Sequence, residues 1–183
     1  MTAVTLLIGG ARSGKSALAG ELAKKWGGPV TFIATGEARD DEMAARIARH
    51  RDERDETWTT VEEPTEIAKT IAEVAAEDLV ILDCLTLWAS NLMDRGSDPR
   101  DGEARAREAS SALSRRNTPA IVITNEVGSG IVPDNELARA YRDLLGSINS
   151  IFAADATHVL FVSAGRVTPM KRTDEVIDDV LDR

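Results

Sequence analysis

The pattern that most constrains this chain is GGARSGKS at Gly9–Ser16, which matches the P-loop consensus GxxxxGKS/T. It follows the apolar stretch Val4–Ile8 and leads into a helical pattern that begins at Lys15. A P-loop needs this context, because its backbone N–H groups surround phosphate oxygens where a strand ends and a helix begins. The alternative is a glycine-rich turn without a ligand, and the strand-to-helix context weighs against it.

The residue types in this loop each predict a role. Lys15 would reach the terminal phosphates of a nucleoside triphosphate, and the Ser16 hydroxyl suits a Mg²⁺ ion. We therefore expect the whole loop to contact a nucleotide: Gly9, Gly10, Ala11, Arg12, Ser13, Gly14, Lys15 and Ser16.

Apolar runs alternate with helical patterns along the chain. The runs rich in Val and Ile are Val4–Ile8, Val30–Ala34, Leu79–Leu82, Ala120–Thr124 and Val159–Val162. The helix candidates are Lys15–Trp26, Asp40–Arg54, Thr65–Glu77, Leu85–Met93, Glu103–Arg116 and Asn135–Ala154. Near-continuous apolar strands are typical of a parallel sheet that helices cover on both faces. The pattern predicts an α/β fold.

Two further segments have simpler predictions. Gly96–Gly102 contains Ser-Asp-Pro and predicts a surface loop. The tail from Thr173 to Arg183 has apolar residues at helical spacing among acids, which is consistent with a short docking helix or a frayed end. With 183 residues, we expect a single domain over residues 1–183.

Composition excludes several classes of function. A net charge of −9 disfavours general nucleic-acid binding, which needs a broad basic face. No apolar stretch approaches the roughly 20 residues that cross a bilayer, so we expect no membrane span. One cysteine and no leader-like N-terminal pattern predict a cytoplasmic protein.

Asp83 directly follows the apolar run Leu79–Leu82. In P-loop proteins a carboxylate at such a strand end helps to hold Mg²⁺. We therefore predict that Ser16 and Asp83 hold the metal. The alternative is an aspartate that caps the next helix.

A basic segment interrupts this acidic chain. If Asp40–Arg54 is helical, Arg46, His50 and Arg54 recur every four residues and share one face. Two neighbouring guanidiniums disfavour a third cation, so we expect His50 to be uncharged near pH 7. Such an imidazole could attack a nucleotide phosphate and carry a nucleotidyl group. An ordinary charged solvent face is the equally weighted alternative.

These blocks together resemble the family of bifunctional adenosylcobinamide kinase / adenosylcobinamide-phosphate guanylyltransferases. The resemblance extends from the first strand to about residue 165 and rests on GGARSGKS, ATGEARDDEMAARIARHR, LDCLTLWASNL and TNEVGSGIVPDNELARAYRDLLGSIN. Small-molecule kinases share the P-loop but lack the His-Arg segment and the TNEVGSGIVP loop. Where some relatives have two adjacent histidines, this chain has Arg49 and then His50.

The resemblance implies two reactions. ATP or GTP would phosphorylate adenosylcobinamide, and GTP would guanylylate His50, from which GMP passes to adenosylcobinamide phosphate. It also implies a RecA-like fold, a homotrimer, a corrinoid substrate, and GTP contacts outside the P-loop. Those contacts would come from Ala34, Thr35, Gly36, Arg51, Asp52, Glu53, Arg54, Glu62 and Asp83.

Two rival functions follow from the residues alone. One is a P-loop kinase of another small alcohol, in which the basic segment only binds substrate. The other is a RecA-like nucleotide-binding module that acts through assembly, for which the acidic net charge is a poor match to nucleic-acid partners.

Overall fold

One seven-stranded sheet forms the centre of the protein, in the order β3-β2-β4-β5-β1-β6-β7. The computed structural model describes residues 3–52 and 54–181. The strands are β1 (Val4–Gly9), β2 (Val30–Ala34), β3 (Thr59–Glu62), β4 (Leu79–Asp83), β5 (Ala120–Asn125), β6 (His158–Ser163) and β7 (Arg166–Pro169). All neighbouring strands are parallel except β6 and β7. The predicted mainly parallel α/β sheet is confirmed.

Helices fill most of the connections between these strands. They are α1 (Lys15–Trp26), α2 (Asp41–Asp52), α3 (Ile67–Glu73), α4 (Leu85–Asp94), α5 (Pro99–Ser114), α6 (Glu136–Asp155) and α7 (Thr173–Leu181). Within the described ranges, no helix is both long and apolar enough to cross a bilayer.

The sheet has an apolar layer on each face. On one face, Leu7, Ile81 and Ile123 pack with Ala19 and Ala23 of α1. On the other face, the alternate residues of the same strands pack with α3, α4, α5 and α6. Successive strand residues point to opposite faces, which explains why the strands read as continuous apolar runs. Helices thus cover both faces, as the sequence predicts.

The sequence does not reveal the two edge strands, β3 and β7. No residue of either strand is buried, and β7 ends in Pro169. Short, polar edge strands lack the apolar run that identifies a central strand, and a proline without an N–H group suits an edge.

The predicted loop at residues 96–102 is partly wrong, because α5 already begins at Pro99. The Asp98 carboxylate caps this helix by accepting a hydrogen bond from the Asp101 N–H at 2.9 Å. Gly102 lies inside the helix, where an added Cβ would come within 2.9 Å of the Leu144 side chain on α6. This glycine therefore allows two helices to approach closely and does not mark a loop.

The tail forms helix α7, and its apolar side chains are not covered. Val176, Ile177, Val180 and Leu181 are between 44% and 73% exposed. The sequence predicts either a short docking helix or a frayed end, and the structure has a helix. Its apolar side chains are exposed to solvent in the part of the chain that the structure describes.

Candidate nucleotide-binding site

The P-loop follows β1 in a conformation that requires glycine. Gly14 has a φ of 106°, a region that side chains disfavour. At Gly9, an added Cβ would lie 2.0 Å from the Val162 carbonyl oxygen of β6. The loop is also tied to the turn between β6 and β7, because the Gly165 N–H donates to the Ser13 carbonyl at 2.9 Å. The backbone shape of the loop is therefore fixed by the neighbouring strand.

Lys15 is buried under this loop and holds its two ends together. Its ammonium donates to the carbonyl oxygens of Gly9 at 2.9 Å and Gly10 at 2.7 Å, and to the Ser13 hydroxyl at 3.3 Å. Burial lowers the pKa of Lys15, and the nearby Cys84 and Asp83 partly oppose this shift. The cation is thus placed at the phosphate-binding loop before any ligand arrives.

A cavity of about 890 Å³ opens beside the P-loop. This volume is within the range of small-molecule sites. The residues predicted to form the site and found in its lining are Ala11, Arg12, Ser13, Gly14, Lys15, Ser16, Ala34, Gly36, His50, Arg54, Glu62 and Asp83. The structure therefore brings together the P-loop, the end of β4 and the basic segment.

The other predicted site residues that the structure describes do not line the cavity. Gly9 and Gly10 accept the Lys15 hydrogen bonds, and Asp52 is exposed at the end of α2. Arg51 lies 3.7 Å from the Glu62 carboxylate, measured between Nη1 and Oε1. Glu53 lies outside the described residues.

Thr35 has a structural position instead of a place in the cavity wall. It is completely buried, and its hydroxyl donates to the Cys84 carbonyl at 2.7 Å and accepts from the Cys84 N–H at 2.9 Å. These two bonds join the end of β2 to the end of β4. Thr35 therefore aligns the strand ends that carry Gly36 and Asp83.

Asp83 lies close to basic side chains of the P-loop and of the basic segment. Burial raises the pKa of its carboxyl group, and His50, Arg54, Lys15 and Arg46 act in the opposite direction. The alternative reading of Asp83 as a helix cap is wrong, because Cys84 occupies the cap position of α4 and no side chain caps that helix. The Asp83 carboxylate therefore faces the cavity and its cations.

Helix α2 forms part of the cavity wall. Arg46, Arg49 and His50 line the cavity, whereas no residue of α2 is buried. The predicted face of Arg46 and His50 is found. The helix ends at Asp52, so Arg54 joins that face from the segment beyond it. One side of α2 is thus a solvent face and the other a cavity wall.

Arg54 is fixed by aromatic contacts that the sequence does not indicate. Its guanidinium carbon lies 4.0 Å from the centre of the Phe32 ring on β2. Phe32 in turn stacks on Trp58 with ring centres 6.4 Å apart. Burial lowers the pKa of Arg54, and the charge of Asp83 raises it. These contacts fix the end of the basic segment against the sheet.

The residues just before α2 are anchored to the end of α4. The Glu37 carboxylate accepts hydrogen bonds from Arg39 at 2.8 Å and from Arg95 at 2.6 Å. These bonds lower the pKa of Glu37 to about 2. The buried Asn91 amide donates to the Thr35 carbonyl at 2.7 Å. α2 is therefore tethered at both of its ends, although its own residues are not buried.

Several residues of the cavity wall are not among the predicted site residues, although the sequence predicts that the loop from Asn125 to Pro133 lies at the ligand-binding edge of the sheet. Among them, Leu87, Ile123 and Asn125 line the cavity from α4 and β5. Only Asn125 had a detectable signal, since it is a polar residue at the end of an apolar strand on the ligand-binding edge of the sheet.

The fold and this cavity define a P-loop nucleotide-binding protein of the α/β class. A family model described as "Cobinamide kinase / cobinamide phosphate guanyltransferase" matches residues 5–170, and the chain belongs to this family. The resemblance inferred from the sequence blocks is confirmed.

Two curated relatives agree with this family. A protein of Pseudomonas aeruginosa named bifunctional adenosylcobalamin biosynthesis protein CobP is 44% identical, with 91% of this chain and 96% of the relative covered. The bifunctional adenosylcobalamin biosynthesis protein CobU of Escherichia coli is 40% identical, with 87% and 95% covered.

A solved structure resembles this chain in fold alone. The RadB recombinase superposes with a TM-score of 0.51 at 18% sequence identity, with 87% of this chain and 73% of that chain covered. This likeness agrees with the predicted RecA-like arrangement.

Proposed function

We propose that the cavity between the P-loop and α2 carries out both reactions named in the family description. As a member of this family, the chain is an enzyme of cobalamin biosynthesis with kinase and guanylyltransferase activities. In the first reaction, ATP or GTP phosphorylates the aminopropanol hydroxyl of adenosylcobinamide. In the second, GMP from GTP is joined to adenosylcobinamide phosphate to give adenosylcobinamide-GDP.

His50 is the proposed carrier of GMP. One imidazole nitrogen bonds to the α-phosphorus of GTP while the bond to the α,β-bridging oxygen breaks, and pyrophosphate leaves with that electron pair. A phosphate oxygen of adenosylcobinamide phosphate then attacks the same phosphorus and releases the imidazole. The bound GMP is thereby transferred without a free intermediate.

One observation supports this assignment above all others. His50 of the basic segment and Lys15 of the P-loop line the same cavity. A triphosphate held by the P-loop amides would therefore occupy the same cavity as the imidazole of His50. Arg46, Arg49 and Arg54 add positive charge to the same wall, which favours a polyanionic ligand.

The residues near the P-loop also fit a magnesium ion. Ser16 and Asp83 both line the cavity and offer oxygen ligands, the type that Mg²⁺ prefers. Mg²⁺ usually needs only one or two protein ligands beside phosphates and water, so this pair is sufficient. When bound, the ion would neutralise charge on the phosphate oxygens. We propose that Ser16 and Asp83 hold it.

The kinase reaction depends on charge stabilisation by the P-loop. The substrate hydroxyl oxygen bonds to the γ-phosphorus, the bond to the β,γ-bridging oxygen breaks, and the nucleoside diphosphate leaves while the hydroxyl proton passes to water. Lys15 and the loop amides bind the oxygens on which negative charge is held.

Labelling with GTP that carries an isotope in its α-phosphate tests the proposal. The wild-type protein should acquire a covalent label that is lost in acid and stable in base, as expected for a phosphoramidate. His50→Ala should abolish the label, whereas His158→Ala, which changes the only other histidine, should retain it. Persistent label in His50→Ala would assign the carrier to another residue. Phosphorylation of the alcohol without any label in wild type would support a simple kinase.

We also propose a homotrimer in the cytoplasm. The segment between β5 and α6 exposes Ile131 at 97% and Val132 at 61%, and the first turn of α6 exposes Leu137 at 69%. A second subunit could cover these apolar side chains. Light scattering during size-exclusion chromatography measures the assembly, and a monomer would contradict it.

A further inference from the structure

Asn125 lies at the centre of the phosphate-binding edge of the sheet. It ends β5, which runs between β1 and β4. Its backbone pairs with Gly9 of β1, and Ile123 two residues earlier pairs with Asp83 of β4. Ile121 and Ile123 belong to the apolar layer under α1, so the alternation of side chains along the strand turns Asn125 toward the same face. Asn125 lines the nucleotide cavity accordingly.

The backbone of Asn125 is held firmly on both sides. Its N–H donates to the Thr86 hydroxyl at 3.0 Å, and its carbonyl accepts from the Asn149 amide at 3.0 Å. Asn149 is buried and also accepts from the Thr124 hydroxyl at 2.7 Å. In residues 3–52 and 54–181, no hydrogen bond of the Asn125 side-chain amide is found. The strand end that carries this amide is therefore held in place, while the amide itself is left for other partners within the described residues.

The end of β5 and the P-loop lysine meet at one atom. The Gly9 carbonyl oxygen accepts from the Lys15 ammonium at 2.9 Å and from the Glu126 N–H at 3.3 Å. Because the lysine of a P-loop reaches the β- and γ-phosphates, the residue that precedes Glu126 lies beside the position of the terminal phosphate.

From this geometry we propose that Asn125 is a further catalytic residue of the kinase reaction, donating a hydrogen bond from its amide nitrogen to the γ-phosphate. The inference rests on the proposed function and adds a residue that distinguishes its two reactions. In phosphoryl transfer, the γ-phosphorus exchanges its bond to the bridging oxygen for a bond to the substrate oxygen, and the hydroxyl proton goes to water. A fixed donor stabilises the charge on the oxygens of the group being transferred.

In guanylyl transfer, by contrast, the γ-phosphate leaves within pyrophosphate and no bond to its phosphorus changes. The Asn125 amide can then assist only binding. Loss of this amide should therefore impair the kinase reaction more than guanylyl transfer. Loss of a residue needed only for folding would instead impair both reactions equally.

The test compares Asn125→Ala and Asn125→Asp with wild type in both reactions. Removing one oriented donor should lower the kcat of adenosylcobinamide phosphorylation by about 10²–10³-fold, and Asn125→Asp should be the more severe because its carboxylate repels phosphate. The final extent of His50 guanylylation from α-labelled GTP should remain at the wild-type level. Asn117→Ala is the control, because Asn117 precedes the start of β5 whereas Asn125 ends the strand. This substitution should alter neither reaction.

A binding measurement completes the experiment. Wild type should bind a non-hydrolysable triphosphate more tightly than the diphosphate, and Asn125→Ala should reduce this ratio without a lower melting temperature. Unchanged kinase kcat, or parallel loss of both reactions, would overturn the role of Asn125. If wild type itself lacks both reactions, the proposed function fails instead, and the affinity ratio still decides whether Asn125 contacts the γ-phosphate.

Discussion

The central guanidinium carbon of Arg54 lies over the Phe32 ring, 4.0 Å from the ring centre. The contact joins the basic segment after α2 to a buried residue of β2, and Phe32 is itself supported by Trp58. Arg54 also lies among the charges of Asp83, Arg51 and Glu62. Its position in the cavity wall therefore depends on an aromatic side chain that does not itself line the cavity.

Replacing Phe32 by leucine should loosen Arg54 and destabilise the protein. A cation–π contact that is partly shielded from water contributes about 0.5–2 kcal/mol. A double-mutant cycle of Phe32→Leu and Arg54→Ala, measured by urea unfolding, should give a coupling energy of this size. Additive effects of the two substitutions would show that the contact does not contribute.

Gly9→Ala should displace the P-loop. The new methyl group would lie 2.0 Å from the Val162 carbonyl oxygen, so either β6 or the loop must move. We expect a loss of about 2 kcal/mol or more in the free energy of unfolding, together with loss of nucleotide binding. Gly20→Ala in α1, where a Cβ meets nothing within 4 Å, is the matched control. It should stabilise the protein by about 0.5–1 kcal/mol.

Lys15→Met should separate activity from stability. The ammonium is buried, so an apolar side chain of similar length avoids the cost of removing a charge from water, although three hydrogen bonds are lost. Without nucleotide, the melting temperature should stay close to that of wild type, whereas both reactions should fall by about 10²-fold or more. Lys24→Met on the exposed face of α1 should leave both reactions intact. A collapse of the melting temperature would mean that Lys15 is primarily structural.

Glu37 should make stability depend on pH in acid. Its pKa is about 2 in the folded protein against an ordinary 4.5, because Arg95 and Arg39 bind its charged form. The carboxylate therefore stabilises the fold above pH 4.5, and this contribution is lost as the pH falls through about 2. The difference in unfolding free energy between wild type and Glu37→Gln should shrink over that interval.

Salt provides an independent check on the same cluster. Glu37, Arg39 and Arg95 are all partly exposed. High ionic strength should therefore also reduce the difference in unfolding free energy between wild type and Glu37→Gln. Glu108→Gln, at an exposed position on α5, is the control and should show neither dependence. A difference that stays constant from pH 5 to pH 2 would contradict the role of the ion pairs.

The central part of the fold could be predicted because its strands are apolar on both faces. All five predicted strands are found with ends within one residue, and α1 has the predicted bounds. The edge strands could not be predicted, since β3 and β7 expose polar or proline-containing sequences. The loop predicted at residues 96–102 was partly wrong because Gly102 lies inside α5. Its role depends on the distance between α5 and α6, which no local sequence pattern encodes.

The candidate site was predictable where chemistry depends on a local motif. The P-loop and the strand-end Asp83 belong to this category, and the helical spacing of Arg46 and His50 does as well. Thr35 shows the limit, because its hydroxyl binds the backbone of Cys84 from a different strand. Phe32 and Asn125 likewise acquire their positions from pairing between distant segments. Such contacts depend on strand order, which the sequence patterns left open.

The strand order has a consequence for how the chain acquires its ligand site. β1 carries the P-loop, yet among the residues that the structure describes it pairs only with β5 and β6. During synthesis, β1 therefore cannot pair in the sheet until the segment that starts at Ala120 has left the ribosome. Pairing between distant segments is slow, because the loop must close before any contact forms. A nucleotide that binds the assembled site but not the unfolded chain would stabilise this late pairing by mass action.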